Sequence, residues 1–411
     1  MRIVLATFGS RGDVQPFIVL GQALVRAGHQ VVLCASEDFG GFATGHGLSF
    51  HALDTSFEAW LRDSTQGVGK LAENMRTSLE RRLEELPKVV EGADLLVATG
   101  LLVEARSVAE VLRVPYRYVA FCPRVQRSRY HAGPSFPVNH SPPWFNRLSW
   151  WFTRVSWNRF AAGPINAWRV RAGLAPTKDV FNEAVTESTL LAADPLLAPL
   201  PPDLVGKTSQ PGAWMLDDPT PLPDEVEAFL AAGEPPVYVG FGSMLDEDPV
   251  RTMREVLEAV RSTGVRALVS RGWAGLGGES LPAEVLAMGP VSHNALLPRV
   301  RAMVHHGGAG TTHAAARAGI PQVVVPHILD QFYWADRVHS LGLAPKPFKR
   351  SRLTASRLAE SLRWCLRPEA QQRARELAAQ VRTDGVEQAV ALLTQERPRD
   401  ALPPPALCEA P

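Results

Sequence analysis

Residues 301–326 read RAMVHHGGAGTTHAAARAGIPQVVVP. An apolar run (301–305) gives way to three glycines within four positions, Gly307, Gly308 and Gly310. A helical, alanine-rich stretch follows at 314–318, and a second apolar run spans 321–326. Two continuous apolar runs joined by a helix are the pattern of parallel strands covered on both faces. Small residues where a strand enters a helix expose unsatisfied N–H groups, and the helix dipole adds positive potential there. Such a turn suits a diphosphate, cradled by Gly308, Ala309, Gly310 and Thr311. His305 or His306 would add a side-chain donor, and so would the Thr311 hydroxyl. A tight turn alone would need fewer glycines.

The same alternation extends in both directions. Downstream, 326–331 (PHILDQ) is again a strand end entering a helix. A carboxylate beside an amide, Asp330 and Gln331, suits a pair of vicinal hydroxyls, although Asp330 also fits a helix N-cap. Upstream, strands are expected at 236–241, 265–270 and 285–291, with a helix at 249–262. The turn Ser270-Arg271-Gly272-Trp273 offers an indole that could stack on a nucleobase or pack on the domain edge. The first 125 residues repeat the pattern, with strands at 2–7, 30–35, 49–53, 93–99 and 116–122 and helices at 14–27, 68–90 and 103–112. Strands in both halves end in Phe-Gly-Ser, at 8–10 and at 241–243. We read two doubly wound α/β domains of one architecture. After the first strand come Gly9-Ser10-Arg11-Gly12-Asp13, at the carboxyl edge where open α/β sheets bind ligands. Asp13 fits an acid opening a helix, or a general base facing the cleft.

The expected division is an N-terminal domain at 1–194, a proline-rich linker at 195–223, a C-terminal domain at 224–375, and a helix at 376–396 packing back on the N-terminal domain. A proline-rich tail, 397–411, is expected to be disordered. Residues 123–175 break the alternation and hold five of the ten tryptophans. They suit either buried helices or an apolar wall for an acceptor.

With 43 basic and 42 acidic residues the chain carries a formal charge of +1, which argues against a nucleic-acid binder. The even charge and the lack of a polybasic patch also speak against membrane attachment. No apolar run reaches the ~20 residues of a membrane span, and the first apolar stretch is too short for a signal peptide. The four cysteines (Cys34, Cys122, Cys365 and Cys408) show no metal-ligand spacing and suggest a reduced, cytoplasmic protein. Asp246-Glu247-Asp248 has an Asp-x-Asp spacing, but it precedes a proline-led helix and reads as helix-start chemistry. No metal site is expected.

These residues resemble glycosyltransferase family 1, above all the bacterial transferases that decorate glycopeptide antibiotics, and are also similar to sterol glucosyltransferases. The likeness is carried by Gly9–Asp13 with Val14-Gln15-Pro16, by Ser270–Trp273, and by the stretch from His305 to Ala335. It implies the GT-B fold, two Rossmann-like domains facing across a cleft. It further implies an inverting, metal-independent transfer from a UDP- or dTDP-sugar to a natural-product hydroxyl, on a small apolar or polycyclic acceptor. By that likeness Asp13 is the base. Ser10, Arg11, Gly12 and Ser243 lie near the diphosphate, together with His305–Thr311. Trp273 and Val291 fall at the base pocket, and Asp330 and Gln331 at the sugar. A lipid-directed glucosyltransferase, an epimerase of the same fold and a non-catalytic partner protein are the competing readings.

Overall fold

The computed structural model describes residues 1–185, 189–246, 248–277 and 281–395. The tail expected to be disordered, 397–411, lies outside them. Among the described residues, eleven strands form two parallel sheets. The first holds β1 (Arg2–Phe8), β2 (Gln30–Ser36), β3 (Ser49–Asp54), β4 (Leu95–Gly100), β5 (Tyr116–Ala120) and β6 (Leu190–Leu191), in the order β3-β2-β1-β4-β5-β6. The second holds β7 (Val237–Gly240), β8 (Ala267–Ser270), β9 (Val285–Met288), β10 (Ala302–His305) and β11 (Gln322–Val324), in the order β11-β10-β7-β8-β9.

Both sheets are built outward from their first strand. β1 has β2 on one side and β4 on the other, with Ile3 beside Val31 and Leu95. β7 likewise lies between β8 and β10. The chain therefore reverses its winding at β1/β4 and at β7/β10, and crevices open outside the carboxyl ends of strands at such points. The turns after β1, β7 and β10 each carry glycine: Gly9 and Gly12, Gly242, and Gly307, Gly308 and Gly310.

The core strands are buried on both faces, and Ile3, Val4, Leu5 and Ala6 are each fully covered. The proline-rich stretch departs from the expectation of a stiff linker. Trp214 and Leu216 enter the N-terminal core beside Phe17, and Leu222 joins the C-terminal core beside Val226. Apolar side chains set between the prolines find cover, so the segment is packed at both ends. Beyond 354 lie helices Ala355–Cys365, Pro368–Ala378 and Gly385–Gln395, so the helix expected at 376–396 is interrupted and its main part starts at Gly385. The last packs on the Arg11–Arg26 helix through Ala389 and Leu393. It passes so close to the crossing segment that a Cβ on Gly385 would stand 2.6 Å from Ala213 O.

The two cores also touch. One apolar cluster runs from Phe8 and Leu96 through Leu197 to Trp334 and Val338. Arg337 donates to Leu197 O (2.8 Å) and Leu196 O (3.2 Å). Asp194 accepts from Arg382 N at 2.8 Å, and its own N–H reaches His313 Nε2 at 3.0 Å. These polar contacts pin the junction between the domains.

Candidate active site

On the N-terminal side the site starts at Ser10, the N-cap of the Arg11–Arg26 helix. That helix opens three residues earlier than expected, which puts Asp13 inside its first turn. Ser10 Oγ accepts from Gly12 N, while Asp13 Oδ2 accepts from Ser10 N at 2.9 Å, forming a capping box. The capping and catalytic readings of Asp13 therefore fall on the same carboxyl. A Cβ on Gly9 would stand 2.2 Å from Asp13 Oδ2, so that position has room for glycine alone. Burial raises Asp13 from an ordinary 3.8 to about 7; the Ser10 N–H opposes this and Asp330 adds to it. Arg11 bonds Gln15 (3.0 Å), lies over the Phe42 ring and feels Asp218 of the proline-rich segment and Tyr238 of the opposite domain.

On the C-terminal side three turns lean on one another. Gly242 has φ +59°, and a Cβ there would approach His306 Cε1 to 3.0 Å. Gly272 has φ +48°, and its Cβ would fall 2.7 Å from Gly242 O. Both conformations suit glycine, and together they bring the turns carrying Ser243, Trp273 and His306 into contact. Trp273 donates its backbone N–H to Gly242 O (3.1 Å), while its half-buried indole packs on the core. Val291 is half-buried against the cluster around Leu268 and Met288.

The helix expected from 314 begins at Ala309, with Gly308 as an N-cap that makes no side-chain bond. The glycine-rich turn is thus the first turn of the helix itself, and the N–H groups there are the unsatisfied ones of any helix start. Thr312 bonds back to Gly308 O (2.9 Å), while Thr311 stays half-exposed.

The adjacent histidines separate clearly. His305 is fully buried; its Nε2 meets Gln322 Oε1 at 2.8 Å and its Nδ1 accepts from Gly307 N at 3.1 Å. Both nitrogens are engaged in holding the turn. His306 has a buried Nδ1 without a partner, and its Nε2 is 2.5 Å from where a Cβ on Gly308 would sit. Burial holds His306 neutral, with a pKa of about 3.

Asp330 precedes the Gln331–Ser340 helix without capping it. Its Oδ2 instead accepts from Trp334 Nε1 at 3.0 Å, and burial raises it to about 6. Gln331 closes the preceding loop, where Leu329 has φ +50°. Its Oε1 accepts from His327 N (2.7 Å) and Ile328 N (3.1 Å), and its Nε2 lies 3.1 Å from Met244 Sδ.

Two similarities in sequence now join this geometry. Residues 3–130 match the glycosyltransferase family 28 N-terminal domain, and residues 271–392 match the C-terminal domain of erythromycin biosynthesis protein CIII-like proteins. Glycosyltransferase GtfE of Amycolatopsis orientalis is 39% identical, covering 96% of this chain and 97% of its own. The vancomycin aglycone glucosyltransferase of that organism is 37% identical over the same shares. The chain belongs to the antibiotic glycosyltransferases. A sterol 3-beta-glucosyltransferase of Arabidopsis thaliana stands further off, 29% identical over 95% of this chain and 67% of its own. The fold matches GT-B structures: the glycotransferase of kitacinnamycin at TM-score 0.74 (18% identical, 96% and 99% covered) and VinC in complex with dTDP at 0.64 (20%, 96% and 98%).

Several residues of this glycosyltransferase's cleft escaped the sequence reading. Trp334 orients Asp330, and its i+4 spacing on a helix was the available signal. Arg124 is buried, donates to Asn139 Oδ1 (3.1 Å) and Phe136 O (2.5 Å), and senses Asp330. Asn139 then reaches across the cleft to Phe332 O at 2.8 Å. Nothing local in the sequence marks either residue. Asp248 caps its helix through Arg251 N (2.9 Å), and Asp246 pairs with Arg350, while Glu247 lies outside the described residues. Among the described residues no three His, Cys, Asp or Glu side chains gather as a metal site requires.

Proposed function

We propose that this glycosyltransferase performs an inverting, metal-independent transfer from a UDP- or dTDP-sugar to a hydroxyl of an apolar natural-product acceptor, as the names of its relatives suggest. The observation that carries the reading is Asp13. It is a carboxyl with a pKa of about 7, seated at the carboxyl edge of one sheet and close enough to Asp330 of the other domain to feel its charge. A base poised near neutrality abstracts a proton most effectively there. Both protein contacts to its carboxyl fall on Oδ2, which leaves Oδ1 to take the proton of the acceptor hydroxyl. As the proton leaves, the acceptor oxygen attacks the anomeric carbon from the side opposite the diphosphate. That single displacement inverts the centre.

Negative charge gathers on the departing diphosphate. The N–H groups at Gly308–Thr311 and the dipole of the Ala309–Arg317 helix stabilise it, as fixed donors do best when water is excluded. His306, neutral and with Nε2 beside Gly308, adds a side-chain donor; His305 supports the turn from behind. Ser10, Arg11, Gly12 and Ser243 close over the phosphates from the facing turns. Asp330 accepts from sugar hydroxyls while Gln331 shapes its loop, and Trp273 with Val291 borders the base.

Asp13→Asn tests this directly. Donor binding by calorimetry should persist while transfer falls at least ~100-fold. NMR of the product should show inversion, and a chelator should leave the rate unchanged. Retained configuration, or full activity of the variant, would remove the mechanism.

A further inference from the structure

The helix Pro143–Trp157 is folded the wrong way round for a soluble protein. Its buried side carries Asn146, Ser149, Trp150 and Thr153. Its exposed side carries Trp144 (63% exposed), Leu148, Trp151 (52%), Phe152 and Val155. These five lie at intervals of three and four, so they form one continuous stripe. From Trp144 to Val155 it is about 17 Å long at the helical rise.

The inversion is locked by hydrogen bonds. Asn146 Nδ2 donates to Arg129 O (2.8 Å), and Ser149 Oγ accepts from Gly133 N (2.9 Å). Trp150 Nε1 donates to His131 O at 3.1 Å, and a Cβ on Gly133 would collide with Thr153 Oγ1 at 2.4 Å. Rotating the helix to hide the stripe would break each of these hydrogen bonds and leave Gly133 N and His131 O buried without their partners.

Charge around the stripe is equally one-sided. From Val111 to Lys178 the chain has ten arginines, one lysine and no aspartate or glutamate. The net charge of +1 therefore conceals a basic region, contrary to the expectation drawn from the whole chain. Arg127, Arg129, Arg147, Arg154, Arg159 and Arg171 are exposed. Asp203 accepts from Arg129 N at 2.9 Å and Asp179 caps the helix packed behind this one, yet the six exposed arginines outnumber these acids. Tryptophans on an apolar helix face among such arginines are what an anionic bilayer surface attracts. A second copy would bring like charges together. A protein partner would need matching relief, whereas a ridge led by its most exposed tryptophan sinks into a fluid headgroup layer.

We propose that the Pro143–Trp157 helix docks the enzyme, in the plane of the interface, on a membrane surface rich in anionic lipids. No helix of the described residues is long and apolar enough to cross a membrane, so the attachment is peripheral. Asn139, just before the helix, is the residue that reaches Phe332 across the cleft. Docking would hold the cleft mouth beside any acceptor dissolved in the lipid. The proposal stands apart from the role of Asp13.

The test is sedimentation of the full chain with vesicles of phosphatidylcholine, alone or with about one-third phosphatidylglycerol. Binding should require the anionic lipid, weaken with salt and blue-shift tryptophan emission. Trp144→Glu with Trp151→Glu should lower the partition coefficient about tenfold or more, as should Arg147→Glu with Arg154→Glu. Val68→Glu and Val250→Glu, at exposed apolar positions elsewhere, should change nothing. Unaltered melting temperatures would show that the variants fold. Wild type failing to sediment with anionic vesicles would overturn the proposal. So would a solution dimer dissolved by the stripe variants, or a loss of acceptor affinity as their only effect.

Discussion

Protonation of Asp13 would tie both the rate of transfer and the stability of the fold to pH. Burial raises this carboxyl from 3.8 to about 7, which at 1.36 kcal/mol per pH unit favours the neutral form by about 4 kcal/mol. As base it must be ionised. With acceptor at saturation, kcat/KM for the donor should therefore fall about tenfold per pH unit below pH 7, reaching about one-hundredth at pH 5. The same burial has a consequence for stability, of the opposite sign to an ordinary paired aspartate. Between about pH 4 and 7 the native state holds a proton that the unfolded chain has released, so stability falls as pH rises through that window. An asparagine in its place cannot ionise, and the amide oxygen can still accept from Ser10 N. Asp13→Asn should therefore gain on wild type between pH 4 and pH 8 by at most about 4 kcal/mol, and by about 1–3 once partial solvent access screens the charge. Denaturant midpoints at the two pH values measure the gain, and stopped-time transfer assays from pH 5 to 8 measure the rate. A rate flat across that range, with a stability difference independent of pH, would refute the buried, proton-holding carboxyl.

Other perturbations probe neighbouring links. Gly9→Ala places a Cβ against Asp13 Oδ2 and should cut kcat about tenfold or more with a smaller loss of donor affinity, because Asp13 is displaced while the Gly308–Thr311 turn is untouched; steady-state kinetics would expose an equal loss in both as a contradiction. His306→Ala should weaken nucleotide-diphosphate binding about tenfold with an unchanged melting curve. His305→Ala should instead lower stability by about 1–3 kcal/mol, since Gln322 and Gly307 N lose their partner; the reverse pattern would exchange the roles. Trp334→Phe removes the indole donor from Asp330, so the carboxyl should rise above about 6 and donor affinity should decline at pH 6–7 before it does in wild type. A calorimetric pH series reads that shift.

Periodicity made much of the fold legible. Apolar runs at 2–7 and 301–305, each soon followed by glycine, fit strands covered on both sides, and both became interior strands. β6 went unseen because a two-residue strand has no periodicity to detect. The helix at Ala309 was placed five residues late, since glycine and threonine look like loop until a neighbouring strand fixes their backbone. The proline-rich segment looked like a spacer, because composition does not tell whether Trp214 or Leu222 will find a core. Among the candidate site residues, Asp13, Asp330 and the Gly308–Thr311 turn were visible as small or acidic residues at strand ends. Their partners were not: Arg124, Asn139 and Trp334 matter through contacts made far along the chain or across the cleft.

The alternation of strand and helix, and with it two sheets whose carboxyl ends carry glycines, was legible in the chain before folding. Those are matters of local periodicity and backbone freedom. Which histidine faces the helix start, how far burial lifts Asp13, and the outward turn of the tryptophans on the Pro143–Trp157 helix emerge only on folding. Each depends on hydrogen bonds and desolvation between segments remote in sequence, and an apolar stripe reads the same whether it faces the core or the solvent.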